Sequence, residues 1–368
     1  MPITRPDCRY FTGYRPCSFG GVCEGCTHFE RPELDILLIN LDALGDVLRN
    51  TSVLPAIRRA HPRARLTWLT RPQAAPLLDG NTLIDRVILL EPGVDTLLQS
   101  LRFDLVLNAD KSLVAGALVM ACQAAERRGF GVDGNGSIIP LNPEANLLYR
   151  MGLDNHLKFS LNQRSAQDLL CEAFGFQHAR DPYILEAGDS NSLPRLKVGF
   201  NTGCGSKWPL KKMGLETVEE TIAGIAALTR EPVLLLGGPE DTRTHKSLAH
   251  RLGAAVECSP TTEGVASGVR QMNRVDVVVS GDSLGMHMAI ALEKQVVAWF
   301  GPTSASEIDL YGRGVKVVSQ MGCSPCWSPT CNEAVPCNQR VSPSELIEAV
   351  ERCMRVVEAG RGQARAGL

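Results

Sequence analysis

The sequence predicts an α/β fold made of two doubly wound domains. In the first half, an apolar run at residues 36–41 enters the turn 43–46 and then a helical pattern; in the second half, residues 275–280 run in the same way into 281–287. Strand-like runs also alternate with segments long enough for helices, which is typical of βαβ units. Because open parallel sheets bind ligands at the carboxyl ends of their strands, each turn marks a candidate ligand site.

The predicted elements divide the chain into consecutive regions. At 368 residues the chain is more than twice a typical domain of about 150 residues. We expect a cysteine-rich leader at 1–32, an N-terminal domain at 33–187, a C-terminal domain at 193–340, and a helix and tail at 341–368. The polar stretch 187–192 is interpreted as the linker. The predicted strands are 35–41, 65–69, 86–90 and 104–108 in the first domain, and 197–201, 232–236, 276–280, 295–300 and 315–318 in the second.

Composition excludes several classes of protein. The net charge of -2 gives no overall reason to expect a nucleic-acid partner. The opening residues have no apolar core of a signal peptide, and no stretch approaches about 18 uninterrupted apolar residues. We therefore expect a cytoplasmic protein.

The 13 cysteines require an explanation, because disulfides are disfavoured in the cytoplasm and clustered thiolates usually hold metal. All-thiolate sites suit zinc or iron, and four protein ligands leave no open position, which indicates a structural role. Spacing does not separate zinc, mononuclear iron and an iron-sulfur cluster. The alternative is free thiols without metal. The predicted ligands form a leader quartet of Cys8, Cys17, Cys23 and Cys26 and a second quartet of Cys323, Cys326, Cys331 and Cys337.

The segment 38–47 resembles the first strand and turn of glycosyltransferase family 9, the ADP-heptose heptosyltransferases. This resemblance covers about residues 34–358. It implies a GT-B fold, in which two Rossmann-like domains face a central cleft, and inverting transfer of heptose from ADP-heptose without a catalytic metal. The supporting motifs follow in the family's order: residues 76–81 with 84–85, 103–106, 201–203 with 207–211, 236–240, 281–283 with His287, and 300–303.

The second cysteine quartet is similar to the iron-binding finger of the branch that glycosylates bacterial autotransporters. The leader quartet, in contrast, is absent from the ordinary lipopolysaccharide branch. The acceptor therefore stays open between the lipopolysaccharide core, a protein serine and another glycan. A peripheral contact with the inner face of the cytoplasmic membrane and an oligomeric state are also left open.

The resemblance assigns the two catalytic residues. Asp46 matches the family's catalytic base, which takes the proton of the acceptor hydroxyl; its alternative role is a helix cap. Asp42 is a weaker candidate for the base. Lys211 matches the phosphate-binding lysine, and an ammonium group is a good point charge for a diphosphate. The alternatives for Lys211 are a solvated surface lysine, or a register in which Lys207 or Lys212 is the ligand.

The donor site is predicted on the second domain. Backbone N–H groups of Ser283, Leu284 and Gly285, at the start of a helix, suit the diphosphate. Asp282 is expected to face the sugar hydroxyls, and His287 is either a ligand contact or a buried histidine.

The nucleoside is expected beside the end of another strand of this domain. Thr202 and Gly203 are expected to form a wall of its site. Glu240, or Asp241 beside it, is expected to bind the ribose, although either is equally explained as a solvated carboxylate at a helix start.

Two other kinds of function stay open. In one, the quartets hold iron-sulfur clusters in a redox protein, although the sequence lacks a clear G-x-G-x-x-G followed by a ribose-binding acid. In the other, the chain is a non-catalytic, metal-stabilised binding scaffold.

Overall fold

The computed structural model describes residues 4–13, 17–188 and 193–366, with the side chains of 363–366 left out. The chain divides into two compact units, Met1–Ile184 and Leu185–Leu368. Residues 189–192 of the predicted linker lie outside the described residues. No helix within the described ranges is both long and apolar enough to cross a bilayer.

The first unit contains a six-stranded sheet. Its strands are β1 (Asp35–Ile39), β2 (Arg65–Thr70), β3 (Arg86–Leu89), β4 (Arg102–Asn108), β5 (Gln123–Val132) and β6 (Ile138–Pro140). Its α-helices are α1 (Leu44–Asn50), α2 (Leu54–Ala60), α3 (Val94–Ser100), α4 (Leu113–Ala121), α5 (Asn146–Met151) and α6 (Ala166–Ala173). The strand order is β3-β2-β1-β4-β5-β6, and all pairs are parallel except β5 with β6.

The second unit contains a six-stranded, wholly parallel sheet. Its strands are β7 (Leu196–Asn201), β8 (Val233–Leu236), β9 (Val256–Cys258), β10 (Val275–Gly281), β11 (Gln295–Phe300) and β12 (Gly314–Val318). Its α-helices are α7 (Leu215–Thr229), α8 (Thr242–Leu252), α9 (Gly264–Asn273), α10 (Leu284–Ala291) and α11 (Pro343–Ala366). The strand order is β12-β11-β10-β7-β8-β9.

Both units therefore have the same doubly wound order. In each unit the strand that comes first along the chain lies beside the one that comes fourth: β1 lies beside β4, and β7 lies beside β10. The chain winds in opposite directions from this pair, so a crevice forms outside the carboxyl ends of the two strands. The nine predicted strands are all present, and β5, β6 and β9 were not predicted.

Strand β1 shows why a central strand has a continuous run of apolar residues. Its residues Ile36, Leu37, Leu38 and Ile39 are all fully buried. Ile36 and Leu38 join one hydrophobic cluster, whereas Leu37 and Ile39 join another. Successive side chains of a strand point to opposite faces, so a strand covered by helices on both sides needs apolar residues at every position.

The described part of the leader and the last helix each pack into one of these units. In the leader, Arg9 pairs with Asp85 at 2.7 Å, and Arg58 of α2 pairs with the same largely buried carboxylate at 2.7 Å. In α11, Leu346 and Val350 lie in the hydrophobic core of the second unit. The leader thus belongs structurally to the first unit, and the last helix belongs to the second.

Candidate functional site

Asn201 organises the crevice of the second unit. It ends β7, and its Nδ2 lies 2.9 Å from the Ser280 hydroxyl, 2.9 Å from the Ser283 hydroxyl and 3.0 Å from the Gly203 carbonyl oxygen. A Cβ at Gly285 would lie only 2.5 Å from the side chain of Asn201. Glycine is therefore needed at 285 for α10 to approach the end of β7 this closely.

Helix α10 begins where the sequence predicts a phosphate-binding turn. Ser283 occupies its N-cap with an extended backbone, at φ -149° and ψ 175°. Leu284 and Gly285 are its first two residues, and the first N–H groups of a helix have no partner within the helix. The helix dipole adds partial positive charge at the same place. The start of α10 thus has the chemistry of an anion site.

Lys211 lies beside this helix start. Its Nζ is 2.9 Å from Oδ2 of Asp282 and 5.5 Å from the centre of the Trp208 ring. A Cβ at Gly281 would lie 2.5 Å from the Lys211 carbonyl oxygen, so the glycine lets the two backbones meet. The structure therefore brings Lys211, Asp282 and the predicted turn together.

Asp282 is a buried carboxylate with a paired charge. Its side chain is 14% exposed, and Nε2 of His287 lies 4.0 Å from its Oδ1. Burial alone would raise the pKa of Asp282, but Lys211 and His287 outweigh burial and hold this pKa below its usual value. His287 itself is buried. Asp282 is thus engaged by Lys211, a partner that sequence reasoning did not assign to it.

A second ion pair, in which only the carboxylate is buried, lies next along the chain. Lys212 Nζ is 2.7 Å from Oδ1 of Asp241, whose Oδ2 accepts a hydrogen bond of 3.0 Å from the Gly238 N–H. A Cβ at Gly203 would lie 2.4 Å from the same Oδ2. Asp241 is therefore an internal structural group, whereas Glu240 beside it is exposed.

Thr202 has a partner that sequence reasoning missed. Its hydroxyl lies 3.0 Å from Nε2 of His245, a residue of α8 that is 3% exposed. Burial lowers the pKa of His245, which favours the neutral imidazole. The contact fixes the Thr202 side chain at the end of β7.

Some of these residues border a cavity of about 170 Å³. Both lysines lie on its wall, together with Thr202 and Gly203, so predicted donor-site residues from two segments share one space. The lining residues are Phe200, Asn201, Thr202, Gly203, Lys211, Lys212, Met213, Leu215, Val218, Thr244 and Gly281.

In the first unit, Asp46 caps its own helix. It lies in the first turn of α1, where Oδ2 accepts a 3.1 Å hydrogen bond from the Ala43 N–H and Oδ1 pairs with Arg49 at 2.7 Å. Its side chain is 39% exposed. Asp46 is therefore not the N-cap residue, which is Ala43; it caps the helix from the third helical position, and its carboxylate is still accessible. Asp42 pairs with Arg71 at 2.9 Å.

Asp110 lies beneath this turn and was not predicted. It follows β4, is buried, and accepts hydrogen bonds from Asn40 Nδ2 at 2.6 Å and from the Leu41 N–H. Burial raises the pKa of Asp110 to about 7; the bonds from Leu41 and Asn40 oppose the rise, and the charge of Asp46 adds to it. The signal in the sequence that could have identified Asp110 is its position just after β4, the strand that pairs with β1.

In the second quartet Cys337 is buried, and the other three cysteines are exposed. Burial raises the pKa of the Cys337 thiol, and Cys326, Cys331 and Cys323 raise it further.

The leader quartet shows one feature of a thiolate site. The Cys26 N–H bonds to the Cys23 carbonyl oxygen at 3.3 Å, and the His28 N–H donates to the Cys26 sulfur at 3.4 Å. Within the described part of the chain, however, no three or more Cys, His, Asp or Glu side chains are arranged to hold a metal ion.

Comparison with known proteins identifies relatives of this architecture. A family model described as glycosyltransferase family 9 (heptosyltransferase) matches residues 223–335. No curated protein matches the sequence.

Several solved structures share the fold. A family 9 glycosyltransferase from Veillonella parvula DSM 2008 has a TM-score of 0.67 and 17% identity over 88% of this chain and 97% of that chain. E. coli heptosyltransferase WaaC with ADP-2-deoxy-2-fluoro heptose has a TM-score of 0.57 and 20% identity over 87% and 99%. The iron-containing dodecameric glycosyltransferase TibC from enterotoxigenic E. coli H10407 has a TM-score of 0.55 and 14% identity over 89% and 77%.

These structures confirm the predicted fold class of two Rossmann-like α/β domains. The family-model match over residues 223–335 supports a glycosyltransferase enzyme.

Proposed function

We propose that this protein is an inverting glycosyltransferase that moves a heptose from ADP-heptose to an acceptor hydroxyl. The observation that carries the proposal is the group formed by Lys211, Asp282 and the start of α10 at the crevice of the second unit. A lysine beside a helix N-terminus is suited to a diphosphate leaving group.

The donor proposal assigns one role to each part of this group. Lys211 and the N–H groups of Leu284 and Gly285 stabilise the charge that grows on the departing diphosphate. An ammonium has three donors, so Lys211 can hold Asp282 and a phosphate oxygen together. Asp282, with His287 behind it, orients the ammonium and faces the transferred sugar. WaaC and TibC have been solved with ADP-2-deoxy-2-fluoro heptose and ADP-D-beta-D-heptose, which supports this class of donor.

The nucleoside is assigned to the neighbouring strand ends. Thr202 and Gly203 line the cavity. Glu240 is exposed at the start of the helical turn that follows β8, where its carboxylate can accept hydrogen bonds from ribose hydroxyls.

Asp46 is proposed as the general base. In the reaction the acceptor oxygen bonds to the anomeric carbon, the bond from that carbon to the diphosphate breaks, and the acceptor proton passes to the carboxylate. A single displacement of this kind inverts the anomeric centre. As the family resemblance implies, charge stabilisation is assigned to Lys211 and α10 and not to a catalytic metal.

Two acceptor classes and one location are proposed. The acceptor is a hydroxyl of a lipopolysaccharide core or of a protein, and the enzyme acts in the cytoplasm, with contact to the inner membrane face where the acceptor is a glycolipid. A self-assembled oligomer is proposed as well, because TibC is dodecameric.

A transfer assay tests the proposal. The purified protein is incubated with ADP-heptose and, separately, with heptose-free lipopolysaccharide core and with acceptor protein, and the products are analysed by mass spectrometry. We expect release of ADP together with one added heptose on one acceptor class. ADP-glucose is the matched control donor, for which we expect at least tenfold slower transfer. Donor binding without any transfer would favour the scaffold alternative.

Structural iron or zinc at the two quartets is proposed as well. What supports this proposal is the chemistry of the donors, because each quartet supplies four thiols; the described residues do not arrange three of these thiols around one metal position. The metal would cross-link the loops that carry the cysteines and would take no part in transfer.

Elemental analysis of the purified protein tests the metal proposal. We expect close to two metal ions per chain in the wild type and about one in Cys326→Ser or Cys26→Ser. Cys258→Ser, which changes an exposed cysteine outside both quartets, is the control and should retain both ions. Equal metal content in all variants would contradict the assignment. Visible absorbance that bleaches on reduction would indicate iron-sulfur clusters.

A further inference from the structure

The segment that carries Lys211 is bonded to the end of the second cysteine quartet. We call residues 207–214 the lysine loop and residues 323–338 the cysteine segment. Asn338 donates from Nδ2 to the Lys212 carbonyl oxygen at 2.8 Å, and its own carbonyl oxygen accepts from the Gly214 N–H at 2.7 Å. Asn338 therefore bonds to two backbone groups of the lysine loop, the Lys212 carbonyl oxygen and the Gly214 N–H.

A second contact joins the same two segments at their other ends. The rings of Trp208 and Trp327 lie 5.3 Å apart at an angle of 57°. Aromatic pairs at this distance attract each other beyond the effect of the area that they bury. The lysine loop is thus held by the cysteine segment at both of its ends, with Lys211 between them.

The cysteine segment is itself attached to the sheet. The Trp327 N–H donates to the Pro302 carbonyl oxygen at 2.8 Å, and the Ser324 hydroxyl donates to the carbonyl oxygen of Gly301, just after β11. Cys337 is buried, and a Cβ at Gly301 would lie 2.8 Å from its sulfur. The cysteine segment is therefore a fixed support, and a contact made to it restrains the lysine loop.

The opposite side of the lysine loop faces the donor site. The Lys211 carbonyl oxygen lies against Gly281, and its ammonium lies 2.9 Å from Asp282. A binding group must be held to a few tenths of an ångström for its full effect, and a lysine on an untethered loop would lose conformational entropy when a ligand binds.

We propose that Trp327 and Asn338 are positioning residues that hold Lys211 in place for the nucleotide diphosphate. The cysteine segment is then a structural part of the donor site. This inference rests on the proposed function, because it concerns the affinity for the donor. It adds two residues, from outside the recognised motifs, to those that determine donor binding.

Limited proteolysis tests the support directly and does not depend on catalysis. Trypsin cleaves after Lys211 and Lys212, and protection there reports how firmly the lysine loop is held. We expect Trp327→Ala and Asn338→Ala to raise the cleavage rate at these two sites at least fivefold. Asn332→Ala, which changes an exposed residue of the same segment, is the control and should leave the rate unchanged.

Affinity for ADP, measured by calorimetry on the same proteins, tests the positioning role. We expect the dissociation constant for ADP to be three to ten times larger in Trp327→Ala and Asn338→Ala, and within twofold of wild type in Asn332→Ala. Trp327→Phe keeps an aromatic contact and should recover most of the affinity. Circular dichroism of each variant should match the wild type, which ensures that a loss of affinity does not reflect unfolding.

The outcomes separate this inference from the proposed function. Unchanged cleavage in both variants would overturn it, and so would faster cleavage with unchanged ADP affinity. If wild type and all variants fail to bind ADP, the proposed donor site is wrong, and so is the positioning role. If Trp327→Ala still accelerates cleavage in that case, the contact between the cysteine segment and the lysine loop is nevertheless confirmed.

Discussion

Asp46→Asn is expected to lower the rate of heptose transfer by a factor of about 10² to 10⁴ without changing the affinity for ADP-heptose. The asparagine side chain in this variant would keep a carbonyl oxygen that accepts the Ala43 N–H, as Oδ2 of Asp46 does at 3.1 Å. The start of α1 should therefore stay intact. What the substitution removes is the group that accepts the proton of the acceptor hydroxyl, together with the ion pair between Asp46 and Arg49.

Comparison with Asp46→Ala separates catalysis from capping. The alanine variant loses both the proton acceptor and the cap, so it should show the same loss of rate and an additional decrease of about 1 kcal/mol in the free energy of unfolding. Single-turnover transfer rates and thermal unfolding of both variants provide the two measurements. A loss of rate confined to the alanine variant would mean that Asp46 acts only through the helix.

Asp42→Asn is the matched control for this experiment. Asp42 lies four residues before Asp46 and pairs with Arg71 at the surface, with 55% of its side chain exposed. The change removes the same charge from the same turn, so it corrects for the general effect of negative charge near the acceptor. We expect a transfer rate within about threefold of wild type, as for an exposed ion pair of small energetic weight. Equal losses at both positions would contradict a specific base.

The fold was predictable because the central strands are covered on both faces. Strands such as β1 and β8 are then apolar at almost every position and stand out in the sequence. Strand β5 was missed for the opposite reason. Its first half, Gln123–Arg128, is largely exposed and rich in charge, so its pairing with β4 follows from the neighbouring strand and not from its own composition.

The site was only partly predictable, because several roles depend on partners distant in sequence. Lys211 and Asp282 are 71 positions apart, and each was assigned to a ligand and not to the other. Asn201 is a polar residue at the end of an apolar strand, a visible signal whose meaning depends on where Ser283 lies. Asp110 was hidden in the same way, since only the pairing of β1 with β4 brings it beneath Leu41.

Lys211→Ala is expected to weaken ADP binding by a factor of about 30 or more, since a charge-assisted contact to phosphate contributes roughly 2 kcal/mol or more. It also removes the ammonium that neutralises the largely buried Asp282 and leaves only His287, at 4.0 Å, beside that carboxylate, which should lower the free energy of unfolding by about 3 kcal/mol. Calorimetric titration with ADP and chemical denaturation measure the two effects.

Lys212→Ala is the matched control, because Lys212 also neutralises a buried carboxylate, Asp241, at 2.7 Å. It should lower stability to a similar extent while keeping ADP affinity within about fivefold of wild type. If the two lysine variants lose ADP affinity equally, the assignment of Lys211 as the phosphate ligand is wrong, and Lys212 or a general effect of charge is responsible.

The double variant Lys211→Ala/Asp282→Asn decides what the ammonium does. Asparagine is neutral and needs no counterion, so the double variant should regain most of the stability that Lys211→Ala loses. It should not regain ADP affinity if Lys211 contacts the diphosphate, because no cation has been restored. Recovery of both properties would mean that Lys211 only neutralises Asp282, and that the N–H groups at the start of α10 bind the diphosphate without it.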